Sequence, residues 1–188
     1  MDPEKAPWCL LDTAFRKLEG EENRFDFEAD QHDTLKKLLA ATRSRYVDVV
    51  HNMTESFMTS FKRTNYHLPD INQQTRIFHD FIHPAAEKEK IAFILVDAFR
   101  YEMGLEFTEM CRDEWELQIS PSLATIPSIT EVGMAALLPG AEQGINIVSA
   151  GGGKLAVRIN DTNLKNRSDR VKYLETKYPN SMVINLNQ

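Results

Sequence analysis

The chain has 188 residues, of which 42% are apolar, and carries a formal net charge of −6. That length supports one ordinary domain, or a domain with a helical appendage. The acidic balance argues against non-specific nucleic-acid or membrane-surface binding as the main activity, since both need a basic surface. No apolar run approaches the roughly 18 residues of a membrane-spanning helix, and the N-terminal stretch MDPEKAPWC lacks the shape of a signal peptide. Cys9 and Cys111 are the only cysteines and lie far apart in the sequence. A reduced, cytoplasmic protein is therefore expected, and the N-x-S/T triplets at Asn52, Asn160 and Asn166 are chance matches.

Residues 1–30 are charged and irregular and read as a poorly ordered lead-in. From Gln31 to about Lys62 apolar residues recur every three or four positions: Leu35, Leu38, Leu39, Tyr46, Val49, Val50, Met53, Phe57 and Phe61. This is the stripe of one long amphipathic helix. The segment NYHLPD breaks it, and a second helix is expected from about Asn72 to His83, stopped by Pro84. Residues 31–88 thus form a helical region.

After Lys90 the pattern changes. The run Ile91–Val96 suits a strand buried on both faces, followed by a helix with Met103, Phe107, Met110 and Cys111 on one face. Trp115–Ser120 reads as a second strand. A loop, PSLATIPSIT, leads to a short helix, EVGMAALL, closed by Pro139-Gly140. A strand at INIVS, a glycine-rich turn, a strand at KLAVRI, a helix over LKNRSDRVKYLETK and a last strand at MVINL follow. Strands alternating with helices predict an α/β fold with a mostly parallel sheet and flanking helices.

Parallel sheets place their chemistry at the carboxyl ends of the strands. Asp97 ends the first strand, where a bare carboxylate is costly. Either a divalent metal compensates it, or it caps the following helix. Thr130 directly precedes a helical run, where free N–H groups and the helix dipole favour an anion such as phosphate. It is either an ordinary N-cap or a nucleophile. As a nucleophile it needs an activator, and without a nearby histidine metal coordination is the more natural one. Ser128 is a rival hydroxyl in the same loop.

Taken together, VDAFRYEMG and, some thirty residues on, IPSITEVGMAALLPG resemble the PglZ domain, from the alkaline phosphatase superfamily. Its proteins occur in bacteriophage-exclusion defence systems and in some response regulators. The likeness runs from about Ile91 to the C-terminus; LPDINQQTRIFHDFIHP is a weaker match to the approach. It implies a truncated alkaline phosphatase-like fold, with residues 89–188 the N-terminal part of the domain. By the resemblance Asp97 ligates one of two divalent metal ions, commonly zinc, and Thr130, rather than Ser128, is both nucleophile and ligand. Arg100 and Glu102 fix the helix start and take no catalytic role.

The superfamily draws its remaining Asp and His ligands from later in the domain. All five histidines here precede Asp97, so the sequence reads as a fragment with an incomplete site, inactive by itself. The implied activity is metal-dependent hydrolysis of phosphate esters or phosphodiesters in phage defence, beside other defence-system proteins. The alternative is a non-catalytic scaffold or regulatory module. Two further motifs are set aside. HDFIH (His79–His83) spaces two histidines as in zinc peptidases but has Asp80 in place of the glutamate and no third ligand. SAGGGK (Ser149–Lys154) lacks phosphate-loop spacing and leads into a strand, which makes it a turn. The basic residues of LKNRSDRVK read as a solvated helix face.

Overall fold

The computed structural model describes residues 8–25 and 32–184. Two compact units form, and the chain passes between them more than once. One comprises residues 1–69 and 100–119, the other residues 70–99 and 120–188.

The first unit is helical. Helix α1 (Cys9–Arg24) occupies most of the expected irregular lead-in. Its apolar positions Leu11, Phe15 and Leu18 sit at helical spacing among many charges, which hide the stripe from a composition reading. The Phe15 ring stacks on Tyr46 at 3.8 Å between centroids. Helix α2 (Asp33–Arg63) follows the expected bounds and buries Leu39 and Phe61, while Leu38 and Phe57 stay exposed. It ends where Asn65 and Tyr66 adopt positive φ. Helix α4 (Tyr101–Cys111) packs on α1. Of the apolar residues on its expected face, Phe107 and Met110 are exposed and Met103 and Cys111 half-buried, while Glu102 and Gly104 are the buried residues.

In the second unit β1 (Asn72–Gln73) pairs in parallel with β2 (Ser122–Leu123). A 3₁₀ turn (Gln74–Arg76), a π-helical turn (Phe78–Ile82) and α3 (His83–Ala86) follow β1. The expected second helix therefore begins later than Asn72, and Pro84 does not stop it. In the π-helical turn the His83 N–H reaches the Phe78 carbonyl. This wider register accommodates the donor that proline lacks.

Helix α5 (Thr130–Ala136) matches the expected short helix, and Gly140, at φ 87°, turns the chain out of it. Strands β3 (Ile145–Gly151), β4 (Lys154–Ile159) and β5 (Thr162–Leu164) form an antiparallel sheet in the order β3-β4-β5. Helix α6 (Arg167–Lys177) starts at Asn166, whose side chain accepts from the Asp169 N–H. The core joins Val132, Ala135 and Leu138 from α5 and its end to Val157, Ile159, Leu164 and Tyr173.

The expectation of an α/β fold holds in its coarser form, and a mostly parallel sheet is not confirmed: among the described residues a small parallel sheet stands beside a larger antiparallel one. Gly151, Gly152 and Gly153 all have positive φ and close β3 and β4 into a hairpin, which forces antiparallel pairing. The runs Ile91–Val96, Trp115–Ser120 and Met182–Ile184 enter no ladder, and the rest of the last expected strand lies outside the described residues. Ile91, Ile94, Leu95 and Val96 are exposed. A strand needs neighbours to bond to, and no described strand lies beside this one.

Candidate functional site

Asp97 follows the exposed apolar run, and Thr130 is the first residue of α5. The Thr130 hydroxyl donates to Asp97 Oδ2 at 3.0 Å. The other carboxylate oxygen accepts from the Ala98 N–H at 3.0 Å. Ala98 has φ 52°, a left-handed conformation uncommon for a residue with a side chain. The chain thus turns sharply straight after the carboxylate. Both side chains are open to solvent.

The capping readings do not hold. The N-cap of α5 is Ile129, extended at φ −108° and ψ 156°, so Thr130 lies inside the helix. The N-cap of α4 is Arg100, which leaves Asp97 outside any cap. Ser128 makes no side-chain hydrogen bond with another described residue, in contrast to Thr130. The loop before the helix is tied down by Gln74. Its side chain accepts from the Thr125 N–H at 2.9 Å and donates to the Gly133 carbonyl at 3.3 Å. Val132, Ala135 and Ala136 are fully buried, so α5 holds Thr130 on a packed base.

Arg100 and Glu102 do bracket the start of α4. Arg100 Nε lies 2.8 Å from Glu102 Oε1, and its Nη1 lies 3.8 Å from Asp12. The close pair lacks hydrogen-bond alignment. Glu102 is only 3% exposed, so this cation is what makes the buried carboxylate tolerable. The histidines of HDFIH are engaged elsewhere. His79 Nδ1 lies 2.7 Å from Asp80, and His83 Nδ1 lies 2.8 Å from the Tyr178 hydroxyl. His79, then Arg76, holds the Asp80 carboxyl below its ordinary value.

A carboxylate and a hydroxyl form a hard-oxygen pair suited to a divalent ion. Among the described residues no group of three or more His, Cys, Asp and Glu could hold one. Asp97 and Thr130 therefore fit part of one ion's donor set and not a two-ion centre.

Beside Thr130 opens a cleft of about 560 Å³. Its lining includes Thr130, Glu131, Lys154, Lys165, Arg167 and Arg170. None of these four cations has an ion-pair partner among the described residues, and the Nη1 atom of Arg170 is buried without a hydrogen bond. Burial pushes the Arg170 guanidinium down from its ordinary value, with Glu131 opposing. The sequence reading took these residues for a turn and a solvated helix face. The i, i+3 spacing of Arg167 and Arg170 puts both on one side of α6, but no local signal says which element that side faces.

A hydroxyl at the start of a packed helix, hydrogen-bonded to a carboxylate in a mixed α/β fold, is the candidate functional site. Residues 77–178 match the family described as the BREX system PglZ alkaline phosphatase-like domain. The chain belongs to this family. It is 25% identical over 181 residues to an alkaline phosphatase-like protein PglZ of Bacillus cereus (strain H3081.97), covering 93% of this chain and 20% of that protein. It is 27% identical over 97 residues to an alkaline phosphatase-like protein BrxZ of Escherichia coli O9:H4 (strain HS), covering 49% of this chain and 11% of that protein. The aligned part is thus about a fifth of the first relative and about a tenth of the second. No solved structure matches. No helix among the described residues is long and apolar enough to cross a membrane.

Proposed function

We propose that this chain carries the nucleophile of a metal-dependent hydrolase of phosphate esters or phosphodiesters, working in bacterial phage defence in the cytoplasm, with other defence-system proteins as partners. Residues 89–188 are, in this reading, the N-terminal part of the PglZ-like domain. The observation that carries the proposal is the 3.0 Å hydrogen bond from Thr130 to Asp97. A threonine hydroxyl is a weak nucleophile until something takes its proton, and Asp97 Oδ2 already accepts its hydrogen bond.

In the first step Thr130 Oγ1 forms a bond to phosphorus as the bond to the leaving oxygen breaks, in line with the attack. The hydroxyl proton passes to Asp97, and the leaving oxygen takes a proton from solvent. Water then attacks phosphorus and loses a proton to solvent, the bond to Thr130 Oγ1 breaks, and Asp97 returns its proton to restore the hydroxyl. The buried side of α5 fixes the direction of attack. A divalent ion held by Asp97 and Thr130, zinc by the family resemblance, would supply positive charge that favours the alkoxide and neutralises the phosphate.

The test is turnover of bis(p-nitrophenyl) phosphate by the full product of the gene, by its Thr130→Ala variant and by the 188-residue chain, with metal content measured alongside. The full product should turn over, and Thr130→Ala should lose at least about a hundredfold in kcat. The isolated chain, with two donors, should bind metal weakly and be inactive. A variant with full activity refutes the assignment. Among the described residues no group of three or more His, Cys, Asp and Glu could hold an ion, which favours a second reading, a non-catalytic scaffold. That reading stands if the full product binds no metal and shows no turnover.

A further inference from the structure

The cleft beside Thr130 asks what four cations are doing together on a chain of formal net charge −6. Lys154 comes from the start of β4, Lys165 from the turn after β5, and Arg167 and Arg170 from α6. Some basic side chains elsewhere sit on acidic partners, Arg16 and Lys17 on Glu106 and Arg76 on Asp80, and what sets these four apart is that they line one cleft. Here Glu131 is the one carboxylate among the lining residues, and no cation pairs with it within ion-pair distance. Arg167 repels Arg170 against the pull of Glu131, Asp169 and Asp97, and a buried guanidinium nitrogen without an acceptor carries a desolvation cost. Both costs are relieved by an anion in the cleft. At about 560 Å³ the space is of the size that takes a small-molecule ligand.

We propose that this cleft is a second anion subsite, and that the substrate carries phosphates in series. One phosphate sits at Thr130, and its neighbour lies between Arg170 and the lysines. The inference rests on the proposed role of Thr130 for its catalytic meaning, but anion binding in the cleft is tested without turnover. Two sources share this chemistry, a linear polyphosphate chain and a strand of phosphodiesters.

The experiment is calorimetric titration of the chain with inorganic phosphate, with tripolyphosphate and with an oligothymidylate of about eight nucleotides. Tripolyphosphate should bind at least about tenfold more tightly than phosphate. Arg170→Gln, and separately the double variant Lys154→Gln/Lys165→Gln at exposed positions, should each lose about tenfold. Lys88→Gln, outside the cleft, should not change affinity. Melting curves check that the variants fold; because the two lysines are exposed, the double variant serves even if Arg170→Gln unfolds. If the oligothymidylate displaces tripolyphosphate, and its log affinity falls with log salt by roughly 0.7 per phosphate engaged, a phosphodiester strand is the source. If tripolyphosphate alone binds, the source is a polyphosphate. The inference is overturned if neither binds better than phosphate, or if the cleft variants behave like Lys88→Gln. Hydrolysis by Thr130→Ala is read separately, so failure of the nucleophile assignment and failure of the subsite are distinguishable.

Discussion

Replacing Gly140 by alanine probes the joint that anchors the site helix. Gly140 adopts φ +87°, and an added Cβ would meet the Tyr173 hydroxyl at 3.1 Å and Asn160 Nδ2 and Ile159 Cγ2 at 3.3 Å each. The Tyr173 hydroxyl is not free to retreat, because it donates to the Pro139 carbonyl at 2.9 Å. A left-handed backbone costs an L-residue roughly 1–2 kcal/mol. Displacing the buried hydroxyl weakens a hydrogen bond and adds about 1 kcal/mol, for a total of roughly 2–3 kcal/mol. Gly153 supplies the control: φ +74° with nothing within 4 Å of the added Cβ. Gly153→Ala should show the backbone cost alone. For a unit of about 100 residues each kcal/mol shifts the melting temperature by roughly 4–8 °C. Gly140→Ala should therefore melt about 4–8 °C below Gly153→Ala, read by circular dichroism with urea melts to confirm the free energies. Equal losses in the two variants would refute the packing argument.

Two further perturbations test other parts of the fold. Ile159 is fully buried in β4, whereas Ile94 is 63% exposed. Ile159→Ala should cost about 2–4 kcal/mol and Ile94→Ala at most about 0.5 kcal/mol in urea melts of this chain. A large loss at Ile94 would mean that the apolar run is packed after all. In the helical unit Tyr46 donates to Asp12 at 2.6 Å, and that bond, then burial, pushes its phenol up to about 12. A folded-state value above the unfolded one means that the fold favours the protonated phenol. Its contribution is therefore whole below about pH 10 and is lost as pH rises through about 12. Tyr46→Phe should cost about 1 kcal/mol at pH 9 and less at pH 11. An equal penalty at both values would show that the phenol does not titrate as the contact requires.

Elements whose bonding partner is close in sequence were readable. The α2 stripe, the α5 helix with its glycine exit, and the INIVS and KLAVRI strands either bond within themselves or fold back across three glycines. Partners farther away leave no such mark. The apolar run Ile91–Val96 says "buried strand" by composition, yet burial and pairing belong to neighbours the run does not name, and no described strand bonds to it. Helix α1 was hidden for a related reason. Its stripe is narrow, and Phe15 finds its partner in Tyr46 on the next helix, a pairing that the charged composition of residues 1–30 obscures.

The site shows the same division more sharply. Two local patterns, a carboxylate ending an apolar run and a hydroxyl opening a helix, made Asp97 and Thr130 candidates, the family resemblance chose Thr130 over Ser128, and the two side chains meet at 3.0 Å. Capping could not be excluded from the sequence, because it turns on small shifts of helix boundaries, one residue at α5 and three at α4, and boundaries are the least certain feature of any pattern. The structure makes both shifts: Ile129 and Arg100 are the caps, so both side chains are left for each other. The cations of the cleft had no comparable pattern. A lysine after a glycine turn and two arginines on a polar helix each look like solvated surface, and they become one electrostatic feature only because a hairpin and α6 converge beside Thr130. A net charge of −6 averages over both units and conceals this local reversal of sign. Anion affinity is set by the field within about a Debye length, roughly 10 Å at moderate salt, so four nearby cations govern it more than the charge of the whole chain.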